Sequence, residues 1–380
     1  MAEQKKIIIV AGEASGDLHA SHLVTDIKNI LPDTKFYGLG GSKMRAAGVE
    51  LFYDLTTLSV VGFFEVLKHL KTIRKIFHEL LKKVDEIKPA AVILVDFPGF
   101  NLRLAEQLKK RNIKVIYYIS PQIWAWGLKR VHLIKRVVDK MLVILPFEEK
   151  LYRKYGADAT FVGHPLLDLA KPTESAEKFI SSVSLAPDKT TIALLPGSRN
   201  KEVERLLPPM LKACRIIHRQ NPQTQFLLLK ASTVEEKIFQ KILSKFNLPL
   251  YFAIDQTYNG LNVATVAIVT SGTATLETAI MQKPMVIIYK VSFLTWVFIK
   301  QMIKIPYIGL VNVVAGKKIV PECLQYEATP EIIAQNILEI LKDKEKFLRM
   351  INDLSQLRQK LGKTGASMRA AEIVAGVLNQ

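Results

Sequence analysis

Residues 190–206 read TTIALLPGSRNKEVERL. An apolar run, TTIALLP at 190–196, stops at Pro196-Gly197-Ser198-Arg199, and charged residues follow at once. A buried strand, a small-residue turn and one arginine make the pattern of an anion site at the end of an α/β strand. Such a loop usually lies near the N-terminus, whereas this one sits in the middle of a 380-residue chain. The sequence on either side explains the position, because each half reads as an α/β unit in its own right.

Upstream, KIIIVAG (6–12), KFYGLG (35–40), AAVILVD (90–96), IKVIYYIS (113–120) and DKMLVIL (139–145) are short apolar runs separated by helical patterns. They are rich in Val and Ile rather than alternating, as in a parallel sheet covered on both faces. Residues 163–188, beginning GHPLLDLAKPTESAEKF, turn to charges and turn-formers and mark a boundary. The pattern then restarts with TTIALLP, TQFLLLK (224–230), PLYFAI (249–254), VATVAIVT (263–270) and PMVIIYK (284–290). Repeated β-α-β units predict two doubly wound, Rossmann-like α/β halves, with ligands beyond the carboxyl ends of the strands and in the cleft between the halves. The tail, 346–378, reads as helix again.

Composition narrows the partners. Lys and Arg total 53 against 35 Asp and Glu, a net charge of +18, which favours a polyanion: nucleic acid, an anionic membrane or a phosphorylated substrate. The basic residues are dispersed and no nucleic-acid motif occurs, so nucleic acid is not expected. Cys214 and Cys323 are the only cysteines and form no cluster, so a reducing compartment and no structural metal are expected. The N-terminus lacks the apolar stretch of a signal peptide, and no window has the 18 or more uninterrupted apolar residues of a spanning helix. The chain is expected in the cytoplasm, soluble or lying on a membrane. The basic amphipathic pattern at 63–84 reads first as a core-packed helix with a solvated basic face; as a second reading it suits a membrane surface, as does the Trp- and Phe-bearing stretch 291–314.

The usual phosphate motifs are absent. No Walker loop occurs, GLGGSK (38–43) fails the dinucleotide spacing, and no D-x-D is present to carry a metal-bound nucleotide sugar. A bound diphosphate must therefore be neutralised by protein cations and helix N-termini. Gly197, Ser198 and Arg199 offer such groups. So does SGTATLETA (271–279), where Ser271, Gly272 and Thr273 open a helix and Glu277 lies one turn inside, in reach of ribose hydroxyls. Each turn alone also reads as ordinary capping.

In the first half, AGEASGDLHA (11–20) supplies a flexible loop (Gly12, Ser15, Gly16) and the titratable Glu13, Asp17 and His19. These suit sugar hydroxyls or proton transfer, or simply cap a helix. VDFPGFN (95–101) ends a buried strand with Asp96, either a general base or an anchor of its own loop. SPQIWAWGLKR (120–130) brings Trp124 and Trp126 to the same edge, for packing or for the floor of a sugar or acyl site.

VAGEASGD, DFPGFN, SPQIWAW, FVGHP, LLPGSR, SGTATLE and GLVNVVAG, in this order from about residue 9 to 316, resemble the lipid-A-disaccharide synthase family. The resemblance implies a GT-B glycosyltransferase, inverting and without metal or cofactor, peripheral to the cytoplasmic face of the inner membrane. Its implied substrates are UDP-2,3-diacylglucosamine and 2,3-diacylglucosamine 1-phosphate, and its products a β-1,6 disaccharide and UDP. It implies domains at 1–168 and 169–355, with a C-terminal helix, 356–380, packing back on the first. By motif position Arg199 matches the diphosphate-contacting arginine, Asn312 an asparagine of the VNVVAG-like stretch and Glu277 the acidic residue near the ribose. Gly12, Ser15, Gly16, Asn101, Trp124 and Trp126 fall on the acceptor and acyl side. Some members read D-x-P-D-F-N, where this chain has Gly99 in place of the second aspartate. Asp96 is then the first choice of base, with Glu13, Asp17 and His19 as rivals. Family members can form homodimers, so a dimer is expected as well. A GT-B-fold UDP-N-acetylglucosamine epimerase, or another UDP-sugar transferase, is the alternative. Finally, Pro208-Pro209 predicts that the regular helix after LLPGSR begins near 208, with 200–206 as a longer loop or a short turn.

Overall fold

The computed structural model describes residues 4–58, 63–292, 296 and 306–379, without the side chains of 57–70 and 126. The chain divides into two compact units, residues up to Pro165 together with Leu361 onward, and Leu166–Lys360.

The first unit is built on seven parallel strands: β1 (Lys6–Ala11), β2 (Lys35–Gly40), β3 (Val49–Asp54), β4 (Ala91–Val95), β5 (Lys114–Tyr118), β6 (Lys140–Val143) and β7 (Ala159–Phe161), in the order β3-β2-β1-β4-β5-β6-β7. The central strands are buried over nearly their whole length, Ile7 to Ala11 and Ala91 to Val95 being fully inaccessible. Each buried Val, Leu or Ile among them contributes about 1.5–3 kcal/mol. One face of the sheet packs on helix Ala14–Ile30 and on the C-terminal helix Ala366–Leu378, through Ala20, Leu23, Val24, Ala370 and Val374. The other face packs on helix Phe63–Ile87 through Ile76, Leu80, Leu81 and Val84. From Ile73 to Val84, then, the amphipathic pattern serves the core.

The second unit repeats the plan with six parallel strands: β8 (Thr190–Leu195), β9 (Thr224–Lys230), β10 (Leu250–Ile254), β11 (Val266–Thr270), β12 (Met285–Tyr289) and β13 (Glu322–Leu324), in the order β10-β9-β8-β11-β12-β13. Both sheets reverse their winding beside their first strand, between β1 and β4 and between β8 and β11. A switch point of this kind leaves a crevice at the carboxyl ends of the two strands.

One expectation fails. The helix after β8 is continuous over Asn200–Gln220, with Pro208 and Pro209 inside it. Each interior proline forfeits a backbone bond and costs roughly 3 kcal/mol. The opposing term is tertiary: Val203, Leu206, Leu207, Met210, Leu211, Cys214 and Ile217 form one buried stripe spanning both prolines. Half of the 291–314 segment that suits a membrane surface, from 293 to 305 apart from Trp296, lies outside the described residues. Among the described residues, no helix is long and apolar enough to cross a membrane.

Candidate functional site

At the β8/β11 switch point the loops after the two strands converge on one cavity of about 300 Å³, lined by Gly197, Ser198, Arg199, Glu202, Thr270, Ser271, Gly272, Thr273 and Glu277 among others. The two turns singled out in the sequence are therefore one site. Register places them side by side, Leu195 opposite Val269. Gly197 (φ +112°) and Gly272 (φ +148°) adopt backbone conformations that other residues rarely enter, and space around Gly272 is open. Helix Thr273–Ile280 starts at Gly272 with no side-chain cap, so its first amides and the positive end of its dipole face the cavity.

Arg199 is half exposed, and one of its guanidinium nitrogens donates to Glu202 Oε1 at 3.2 Å. Glu202 Oε2 also accepts the Ser198 amide at 3.3 Å, so a carboxylate sits against the loop's own donors. Glu202 went unnoticed in the sequence, although its place one turn beyond the arginine was legible. The loop is braced from behind: Thr233 donates to Ser198 O at 2.7 Å, and Asn200 exchanges bonds with Glu235 at 2.7 and 3.1 Å. Thr270, also missed, ends β11 with a buried hydroxyl that has no partner among the described residues. The Ser271 hydroxyl donates to Ile308 O at 3.4 Å. Glu277 accepts the Tyr258 hydroxyl at 2.7 Å, and burial raises its pKa against the lowering effect of that bond.

Asn312 does not join this cavity. It is fully buried, its carbonyl accepts Ile319 N and Val320 N, and its amide donates to Val320 O and to Glu322 Oε1. With every polar atom paired inside the fold, it shapes the 308–322 turn and is withdrawn as a nucleotide contact. Glu322, which also accepts Ile308 N and Gly309 N, is the partner that sequence reading missed.

In the first unit the loops after β1 and β4 meet in the same way. A Cβ on Gly12 would lie 2.3 Å from the Phe97 ring, so glycine lets the two loops touch. Asp96 and Phe97 both hold φ +47°, a strained pair for residues other than glycine. Asn101 supports that turn: it is buried and donates to Val95 O and Asp96 O, while Tyr117 also donates to Asp96 O. Asn101 is thus a brace for the Asp96 backbone rather than an acceptor contact. The Asp96 carboxyl stays clear of this clamp, and its pKa is pushed up to about 6 by burial first and by the charge of Glu13 second. A Cβ on Gly99 would meet nothing within 4 Å, so an aspartate there is sterically admissible.

The rivals separate. Asp17 is buried and accepts the backbone N–H groups of Gly41, Lys43 and Met44 at 2.7–3.1 Å, capping the short helix Ser42–Ala46. It is withdrawn as a base, because proton transfer would break that cap. Asp17→Ala is expected to lower unfolding free energy by about 2–3 kcal/mol, the cost of orphaning amides held by a charged acceptor; an unchanged urea midpoint would refute this. The flexible loop expected here is short, because helix Ala14–Ile30 begins directly after Glu13. Glu13 is exposed at the helix start and Ser15 in the first turn, where Gly16 is buried and packed against Ala11 and Val95. His19 has its pKa lowered to about 4 by burial and by His22, and His164 of the FVGHP stretch to about 3 by burial and by His19. Both imidazoles are neutral near pH 7, and a group with a pKa of about 4 is a weak base. Trp124 donates its indole N–H at 3.0 Å to Glu148, a buried carboxyl that also accepts Ser120 Oγ and Leu145 N, and whose pKa burial lifts to about 7. Trp124 is therefore tied into the protein at that edge; the side chain of Trp126 is outside the described residues.

Two parallel α/β units, with strand-end loops gathered at the switch point of each sheet, define the GT-B class of fold. Solved structures similar over almost the whole chain are a putative UDP-N-acetylglucosamine 2-epimerase from Listeria monocytogenes (TM-score 0.65, 11% identity, 98% of this chain and 96% of that one), the UDP-GlcNAc 2-epimerase from Neisseria meningitidis bound to UDP-GlcNAc (0.61, 10%, 98% and 99%), and the glycotransferase of kitacinnamycin (0.64, 14%, 99% and 99%). At such identities the likeness is one of fold. Sequence goes further: the family model described as lipid-A-disaccharide synthetase matches residues 7–377. Lipid-A-disaccharide synthases from Syntrophus aciditrophicus and Nitrosococcus oceani are 48% and 42% identical, covering 97% and 98% of this chain and 96% of each relative. The chain belongs to the lipid-A-disaccharide synthase family of glycosyltransferases.

Proposed function

We propose that this chain transfers 2,3-diacylglucosamine from UDP to the 6-hydroxyl of 2,3-diacylglucosamine 1-phosphate. The observation that carries the donor half is the cavity at the β8/β11 switch point, where two glycine turns, a capless helix start and Arg199 surround one anion-sized space. The diphosphate lies on Arg199 and the amides of 197–199 and 272–274, and Glu277 accepts from the ribose. The acceptor O6 attacks the anomeric carbon as the bond from that carbon to the β-phosphate oxygen breaks. The proton on O6 passes to Asp96, and the electron pair leaves with UDP. One displacement inverts the donor's α-linkage and yields the β-1,6 disaccharide. The substrates are lipids, and the +18 charge supports work at an anionic inner-membrane surface; a homodimer remains part of the same reading.

The test supplies both lipid substrates in mixed micelles with chelator present and measures disaccharide and UDP. Folded protein giving neither product would overturn the proposal, and conversion of UDP-N-acetylglucosamine without acceptor would favour an epimerase instead.

Glu202 supplies a sharper check. Its carboxylate competes with a phosphate for the Ser198 amide and for Arg199. Glu202→Gln is expected to tighten UDP binding by about twofold to fivefold at low salt, the scale of one exposed ion pair. Calorimetry showing equal or weaker binding would count against the assigned diphosphate position.

A further inference from the structure

We propose that Tyr258 is a positioning residue for the nucleotide: its hydroxyl holds one carboxylate oxygen of Glu277 so that the other is presented to a ribose hydroxyl of the UDP-sugar. This rests on the reading of Glu277 as the ribose contact and adds the group that makes that contact work.

The geometry is specific. Tyr258 donates to Glu277 Oε1 at 2.7 Å, the only hydrogen bond of that carboxylate among the described residues. Glu277 lies where two cavities adjoin, the 300 Å³ one with the phosphate-type turns and a second of about 550 Å³ that includes Tyr258, and Thr257 also lines both. A carboxylate beside a diphosphate site is repulsive unless it faces neutral donors, and sugar hydroxyls are such donors. Tyr258 is itself held firmly. Its neighbour Asn259 is buried and clamps helix Thr257–Val263 to the 173–174 segment, accepting Thr173 N at 2.8 Å and donating to Thr173 Oγ1 at 3.0 Å.

The hydroxyl also keeps Glu277 charged. Burial drives the carboxyl toward its protonated form, and the Tyr258 bond is the influence opposing it. The other charged groups lining the two cavities are Arg199, Glu202, Glu174, Lys178 and Asp255, with no histidine among them. Without the hydroxyl, Glu277 protonates at higher pH and loses acceptor strength.

The test uses Tyr258→Phe in the full chain, with UDP and 2′- and 3′-deoxy-UDP as probes, by calorimetry from pH 5 to 8. The variant is expected to bind UDP about tenfold more weakly at pH 7 and to raise KM for the UDP-sugar similarly, with kcat within about twofold. Its low-pH loss of affinity is expected to begin at higher pH than in the unmodified protein. Titration of the nucleotide's own phosphate is common to both proteins and cancels in the ratio. At least one deoxy substitution is expected to cost the unmodified protein several-fold in affinity and the variant little. If both proteins pay the same penalty for each deoxy probe and the pH midpoint does not move, Tyr258 has no positioning role. If the unmodified protein fails to bind UDP at all, it is the proposed function that falls. Glu277→Gln removes the titrating group and is expected to abolish the pH difference between Tyr and Phe at 258. This second background decides the matter even if Tyr258→Phe alone proves unstable, and persistence of the difference there would overturn the proposal.

Discussion

Arg199→Ala is expected to lower kcat by about 100- to 1000-fold, the usual cost of deleting one donor from a site where negative charge develops. The leaving UDP acquires charge as the anomeric bond breaks, and Arg199 is the cation at the head of the loop that closes the cavity. Its fork can engage two phosphate oxygens, so Arg199→Lys, which keeps the charge but not the fork, should recover only part of the rate. Stability should hardly change. The Arg199–Glu202 pair is substantially exposed, and such pairs contribute about 0–1 kcal/mol. Steady-state UDP release measures the effect, and turnover near that of the unmodified enzyme would remove Arg199 from the mechanism.

Asp96→Asn is expected to reduce kcat by about 100- to 10,000-fold, the range of general-base catalysis, with UDP affinity unchanged because the nucleotide groups belong to the other sheet. Asparagine is the suitable replacement, since it tolerates the left-handed backbone held at 96 and can preserve the turn. The base acts in its ionised form, so with a pKa of about 6 activity should rise with pH through about 6 and flatten above it. The stability effect has the opposite sense. A carboxyl raised from 3.8 to about 6 in the folded state contributes stability that is complete below about pH 3.8 and lost as pH rises through 6. The asparagine variant should therefore be no less stable than the unmodified protein at pH 7 while nearly inactive. A variant losing activity only in proportion to lost folded protein would show Asp96 to be an anchor instead.

Much of this was readable along the chain. The buried central strands announce themselves because a strand covered on both faces must be apolar at every position, as in KIIIVAG and VATVAIVT. The restart at TTIALLP marks the second unit, and small residues after β8 and β11 mark the strand ends. The edge strands β3, β7 and β13 were not anticipated, since a half-covered edge needs no continuous apolar run and theirs are mixed in burial.

What the sequence determined alone is therefore the local grammar: apolar runs that must be buried, glycines where the backbone must turn left-handed, and one arginine placed to meet an anion. Tertiary structure decided the use of each polar group, because a side chain's partners come from distant parts of the chain. Asp17 was drawn to amides 24 to 27 residues away, Asn312 to Glu322, and Glu277 to Tyr258. The same holds for the helix opened by LLPGSR. Two prolines argue locally for a later start, yet a buried stripe from Val203 to Ile217 carries it from Asn200 straight through them. The burial that outweighs the lost backbone bonds exists only once the sheet is in place to receive it.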